Sequence, residues 1–457
     1  MSTTTTTART APRSPPGDGV VSSSFDFQVE EGPSPRPGSN ENSQSSLDAA
    51  LIFKLVTAAF SFFVAGVNDG SIGALIPHII RDYGITTAIV SALYATSFAG
   101  WLFAALTNTH ASQRLDTGAM LVLGAVLQIL SQALRCWPTP PFWLFILSFF
   151  LTTSGQGFQD THANGFVAQQ KGVGGVHRWL GAIHAAYMAG CFIAPFVASS
   201  IASAGVGGGR SKWYLFYNVP LGFGILNLGM VVIAFRDSIG WVKRRIGAEA
   251  SAWEGVDQPK SAGMQLKETL TTRSVWLISL FFFFYIGVSI TAGGWVVEYL
   301  VDVRNGQLPQ MGYVSAGFSG GCLLGRILLP EPIHRWGERR MVFIFCVLAL
   351  AFQLVFWLVP NIIAASIAIS FLGFFIGPFF STGISVGAKL FPSDIRSTAI
   401  SFVFVFAQTG GSLFPIIAGI LGSRVGVTAL QPMLVALIAA TAVSWLLVPK
   451  VPEQKQE

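Results

Sequence analysis

The sequence predicts an all-α integral membrane protein with twelve transmembrane helices in two pseudo-symmetric six-helix bundles. Three observations predict it. Of the 457 residues, 52% are hydrophobic and only 11% charged, which lies outside the composition of soluble domains. From Leu51 onward, apolar stretches of roughly 20–28 residues recur, long enough to cross a hydrocarbon core of about 30 Å. Six of them precede a long polar segment and six follow it.

Residues 1–50 are rich in Ser, Thr and Pro and hold no apolar run. Such a stretch cannot bury a core, so it is expected to be a disordered cytoplasmic tail. It also has no signal-peptide core, which leaves the first helix to direct insertion. The first six helices are expected over 51–79, 86–109, 117–137, 141–168, 179–204 and 213–235, giving an N-terminal bundle of 51–235. The polar segment 236–274, which contains WVKRRIGAEASAWEGVDQPK, is expected to be a cytoplasmic linker. The C-terminal bundle, 275–449, should hold helices over 275–301, 311–330, 340–359, 361–389, 397–423 and 427–449, followed by a cytoplasmic tail, 450–457.

Basic residues set the orientation, because Lys and Arg resist translocation. With the N-terminus inside, 22 of the 28 Lys and Arg are cytoplasmic, and only Arg81, Arg135, Arg210, Lys212, Arg304 and Arg424 lie outside. Both termini are therefore expected in the cytoplasm. The same distribution places the net charge of +6 in membrane-flanking loops rather than on a nucleic-acid surface. Cys136, Cys191, Cys322 and Cys346 show no paired spacing, so neither a disulfide framework nor a metal site is expected. Gly205 to Gly209 lack the lysine pattern of a P-loop, and no cofactor is expected.

The halves also echo each other. Gly190 and Pro195 of the fifth stretch are matched by Gly410 and Pro415 of the eleventh, with Arg178 or Arg396 just before each helix. The fourth stretch carries GQGFQDTHANGFVA, residues 155–168, in which Gln156, Asp160 and Asn164 are spaced i, i+4, i+8 along one helical face. A polar stripe at hydrocarbon depth must face the bundle interior or a watery cavity. Thr57, Ser61 and Asn68 form a similar line in the first stretch, with Asp69 adjacent. His184 and Tyr187 of the fifth, Ser289 and Trp295 of the seventh, and Gln408 and Thr409 of the eleventh are further candidates for the same cavity. A carboxylic acid in such a cavity suits proton coupling, since it can load and release a proton as the cavity opens alternately to each side. The rise along the two helices puts Asp69 and Asp160 roughly 10 Å apart in depth, too far to share a proton as an aspartyl-protease dyad would. Arg326 and Glu298 are expected near the membrane faces, and His162, pointing away from the stripe, at a packing contact.

The twelve helices, the long central loop and the short loop Arg335-Trp336-Gly337-Glu338-Arg339-Arg340 resemble the major facilitator superfamily, the last stretch being similar to the end of its loop motif. The corresponding loop of the first half, Thr107 to Arg114, keeps one arginine and none of the acidic-basic-glycine core. Three stretches resemble the fucose-galactose-glucose proton symporter branch and its fungal relatives: Gly66 to Gly73, the run around Asp160, and Gly293-Gly294-Trp295-Val296-Val297. That resemblance implies the major facilitator fold, proton coupling through Asp69 and Asp160, and a gating loop of Arg335, Gly337, Arg339 and Arg340. In place of the acidic residue that many relatives carry before the Gly-Gly-Trp, this chain reads Gly287 to Thr291, so no third coupling carboxylate is implied. The function expected is secondary transport of a small organic solute with protons. Uptake of a sugar-like solute comes first, and export of a more hydrophobic metabolite or a non-transporting sensor are the alternatives. A monomer in the plasma membrane is expected, with a vacuolar or other endomembrane as the alternative.

Overall fold

The computed structural model describes residues 49–170, 176–204, 211–240 and 262–450. The expected N-terminal tail as far as residue 48, residues 241–261 of the linker, and the tail beyond Lys450 lie outside the described residues. Twelve long helical segments follow in order. In the first half they are α1 (Ala49–Tyr83), α2 (Ala92–Ser112), α3 (Thr117–Arg135), α4 (Phe142–Ala168), α5 (Val176–Ser203) and α6 (Asn218–Ala234). In the second half they are α7 (Arg273–Asp302), α8 (Leu308–Leu328), α9 (Glu338–Leu358), α10 (Ile362–Leu390), α11 (Arg396–Val425) and α12 (Leu430–Leu447).

Among the described residues, ten helices are long and apolar enough to cross a membrane, and α8 joined to the short helix Pro330–Trp336 across a 48° bend makes an eleventh. The remaining one, α4, has 27 residues, about 40 Å at 1.5 Å per residue. It misses the apolarity test because its second half carries the polar stripe. The set is consistent with twelve spans. Two breaks departed from the sequence reading. A separate turn, Thr87–Val90, precedes α2, and α10 is interrupted at Gly377 and Pro378, between Ile376 and Phe379. Proline cannot donate the helical N–H and crowds the preceding turn, which accounts for the second break.

Lipid offers no hydrophobic drive for helix association, so close backbone approach at small residues does that work. Gly66 and Gly70 of α1 lie against the backbone of Tyr187 and Cys191 in α5, and Gly190 of α5 lies against the carbonyl of Phe63 in α1. In the second half, Gly410 of α11 abuts the carbonyl of Phe283 in α7. The repeated glycine therefore has one task in both halves: seating the fifth helix of the half on its first. Likewise Gly100 of α2 meets the Phe150 carbonyl of α4, and Gly321 of α8 meets the Ser370 carbonyl of α10.

The two halves touch along one end of the bundle. Gly73 of α1 abuts the Gly293 carbonyl of α7, Gly294 abuts the Tyr94 hydroxyl of α2, and Gly312 of α8 abuts Ser199 of α5. Thr87 Oγ1 donates to the Gly419 carbonyl of α11 at 2.8 Å, and Arg81 Nη1 stands 3.7 Å from Glu298 Oε2. Glu298 stands about one turn from the outer end of α7, but it does not face the membrane surface. It is 7% exposed and faces the other half. Toward the opposite end, His184 of α5 meets Phe380 of α10 with ring centroids 5.3 Å apart. Beyond it the first half's surface is open, and a side-chain carbon at Gly165 or Gly181 would meet nothing within 4 Å.

Candidate functional site

Asp69 sits near the middle of α1, where Gly66 and Gly70 let α5 come close enough for Tyr187 to reach it. Tyr187 donates its hydroxyl to Asp69 Oδ2 at 3.0 Å. Asn68 Nδ2 and Gln156 Nε2 donate to Oδ1 at 2.9 and 3.1 Å. Both oxygens of the carboxylate are thereby held by three donors from three helices. Gln156 and Asn68, expected on the cavity wall, stand instead behind Asp69, at 1% and 2% exposure.

Asp160 lies one turn further along α4 than Gln156. Since Gln156 bonds Asp69, the two carboxylates are separated in depth by about 6 Å rather than the 10 Å expected from the separate helices. They do not bond each other, and among the described residues no donor reaches Asp160. It is half-buried on the inner face, as is Asn164 a turn beyond. His162 bonds Asn108 of α2 at 3.0 Å, on the packing side of the helix.

Behind Asn68 lies a residue the sequence reading assigned to an outer loop. Arg135, at the end of α3, is 0% exposed. Its Nη1 donates to Asn68 Oδ1 at 2.9 Å, its Nε to Ser148 Oγ at 2.6 Å and its Nη2 to Thr152 Oγ1 at 2.8 Å. The guanidinium carbon is 3.8 Å from the centre of the Phe149 ring and 5.3 Å from that of Tyr217. Gln132 also donates to Asn68 Oδ1, at 3.0 Å. A guanidinium stays charged, yet among the described residues no carboxylate pairs directly with Arg135. Asn68 links it to Asp69, accepting from the one and donating to the other. The signal for this was present in the sequence. Gln128, Ser131, Gln132 and Arg135 are spaced i, i+3, i+4, i+7 on α3, a second polar stripe of the kind seen in α4.

The opposite wall is aromatic. Phe380 of α10 stacks on Phe404 of α11 at 5.7 Å and 11°, and Phe282 of α7 meets Phe380 edge-on at 5.8 Å. His184 bridges the walls, 5.3 Å from Phe62 on its own half and from Phe380 on the other. Gln408 and Ser289 are half-buried, Gln408 one turn along α11 from Phe404. Arg326, in the last turn of α8, points inward. Its Nε donates to the Gly377 carbonyl at 3.1 Å, and its guanidinium lies 5.6 Å from the centre of the Phe380 ring. Trp295 is elsewhere: at 2% exposure it donates its indole N–H to the Pro415 carbonyl at 3.1 Å, within the second half and close to the seam.

In the loop after α8, Gly337 takes φ 93°, a conformation open to glycine. Arg335 pairs with Glu331 at 2.7 Å, Arg339 donates to the Leu446 carbonyl of α12 at 2.6 Å, and Arg340 is exposed. These contacts stay within the second half. At the foot of the first half, Lys54 pairs with Asp237 at 2.8 Å, and this hydrogen bond holds the Asp237 carboxyl below the usual carboxylate range.

Two six-helix halves closed at one end, with polar side chains facing an aromatic wall between them, define a membrane carrier. The family model described as Major Facilitator Superfamily matches residues 58–371 and 305–457, and the chain belongs to that superfamily. It is 24% identical over 417 residues to the Saccharomyces cerevisiae protein called bypass of stop codon protein 6, covering 87% of this chain and 82% of that one. Among solved structures it resembles a D-xylose-proton symporter, with a TM-score of 0.70 at 12% identity over 89% of this chain and 100% of that one. The Escherichia coli fucose:proton symporter matches with a TM-score of 0.61 at 17% identity over 88% and 100%.

Proposed function

We propose that this carrier moves a small organic solute by alternating access, coupled to protons through Asp160 with Asp69 as its fixed neighbour. The observation that carries the reading is the contrast between the two carboxylates. Asp69 is tied by three donors, whereas Asp160, one turn away and half-buried toward the space between the halves, accepts from none of the described residues. A carboxyl with no fixed donors can exchange its proton without dismantling a network. The seam at one end and the open faces at the other supply the two gates that alternating access requires. With the termini cytoplasmic, as the basic residues favour, the open side faces the cytoplasm. The gating loop of Arg335, Gly337, Arg339 and Arg340 steadies the second half as it moves.

Two structural neighbours are sugar-proton symporters, which supports proton coupling and keeps sugar uptake as one reading. The wall of Phe282, Phe380 and Phe404 supports the other, a solute with an apolar body. The test is proton movement by the purified protein in liposomes, with wild type compared to Asp160→Asn against neutral sugars and apolar metabolites. Solute-driven proton flux that Asp160→Asn abolishes while binding persists supports the reading. Equal flux in the two proteins refutes it.

A further inference from the structure

We propose that Arg326 is the anchor for an acidic group on the solute, so that the carried molecule is a monoanionic carboxylate with an apolar body. This rests on the carrier reading and names the substrate class of the same site. Arg326 and Asp160 each lie about 27 Å along their helices from the seam end, so they stand at similar depth on opposite walls. Arg326 is fixed there rather than free to reach the membrane face. Its Nε is bonded to the Gly377 carbonyl at 3.1 Å, at the break in α10, and its guanidinium lies 5.6 Å from the Phe380 ring centre. Phe380 is itself the ring that His184 of the other half touches.

The comparison with Arg135 is decisive. In Arg135 all three nitrogens donate to fixed acceptors and both neighbouring rings pack close, so no room is left for a ligand. Arg326 is half-buried, its other neighbours are the side chains of Tyr285, His184, Cys191 and Cys322, and among the described residues no carboxylate pairs with it. A permanent charge at this depth is costly without a counter-charge, and a guanidinium presents a planar fork that matches a carboxylate. A single cation suits a monoanion rather than a phosphate dianion. The stacked Phe380 and Phe404 beside it offer an apolar surface for the remainder of the solute. On the facing wall, ionised Asp160 repels such an anion and protonated Asp160 admits it, so acid and proton load together.

The test uses the purified full chain in detergent and three matched pairs of probes: benzoate with benzamide, 3-phenylpropionate with 3-phenylpropionamide, and octanoate with octanamide. Binding is read by calorimetry. The expected result is that at least one acid binds tenfold or more tighter than its amide, and that Arg326→Gln removes this preference while Arg326→Lys keeps part of it. The proposal is overturned if no acid binds tighter than its amide, or if Arg326→Gln retains the preference. Should Arg326→Gln fail to fold, the acid-to-amide ratio of the wild type and of Arg326→Lys still decides. Asp160→Asn separates the two readings: it is expected to keep the acid preference while losing proton movement. Acid selectivity without proton flux in the wild type would sink the coupling and leave Arg326 standing.

Discussion

Replacing Gly73 by alanine tests whether the seam between the halves is a gate. A Cβ at Gly73 would stand 2.0 Å from the carbonyl oxygen of Gly293, on the other half. Ordinary carbon–oxygen contact needs more than 3 Å, and the obstacle is backbone, with no flexible side chain to swing aside. The halves must therefore separate by roughly 1 Å at this point, loosening the neighbouring contacts of Gly294 with Tyr94 and of Thr87 with Gly419. Overpacking of this kind costs about 1–3 kcal/mol, all of it in the state where this end is closed. The equilibrium then moves toward the state open at this end by roughly 5- to 150-fold. The assay is the distance between spin labels at Ile89 and Val425, both exposed near the seam, by double electron–electron resonance. A longer-distance population should grow in Gly73→Ala. The control is Gly70→Ala, whose Cβ would meet the backbone of Cys191 within the first half; that variant should lose thermal stability without lengthening the distance. An unchanged distribution in Gly73→Ala would refute the gate.

Two further outcomes follow from the first half. Arg135→Leu removes three donors at once, leaving Asn68 Oδ1 with Gln132 alone and the buried hydroxyls of Ser148 and Thr152 each one partner short, at about 1–3 kcal/mol for the group as a whole. It should lower the melting temperature sharply in size-exclusion thermal profiles, and Arg135→Lys, lacking the planar fork, should rescue little; a wild-type profile for Arg135→Leu would contradict the network. Asp237→Asn should cost less than about 1 kcal/mol at neutral pH, because the pair with Lys54 is largely exposed. Since folding lowers the carboxyl's proton affinity, its contribution is present above the unfolded value of about 3.9 and is lost as pH falls through the lower folded value. The variant and wild type should therefore converge in stability at acid pH, and a gap that widened there would reverse the sign.

Periodicity made the spans legible, along with the repeated Gly190 and Gly410 and the stripe through Asp160, because each is a property of one helix. What the stripe did was not legible. Gln156 and Asp160 share a face, yet Gln156 is absorbed by Asp69 while Asp160 meets no donor among the described residues, and only the packing of α1 on α4 decides between them. The inward turn of Arg135 and Arg326 was missed for a common reason: counting basic residues by loop assumes that an arginine near a helix end escapes to water. Here each is held inward, one by Ser148 and Thr152, the other by the carbonyl freed where α10 breaks. The pairing of Glu298 was not legible because its partner, Arg81, belongs to the other half.

Asp69, Asn68, Gln156, Tyr187 and Arg135 all belong to the first six helices, and this has an electrical consequence. If that half tilts as a body, Arg135 and Asp69 are displaced through the membrane field together, and with Asp69 ionised their currents cancel. A full elementary charge crossing 100 mV exchanges about 2.3 kcal/mol with the field, so a lone arginine riding on a mobile helix would make the tilt itself voltage-sensitive. Tethered to Asp69 through one amide, Arg135 does not ride alone.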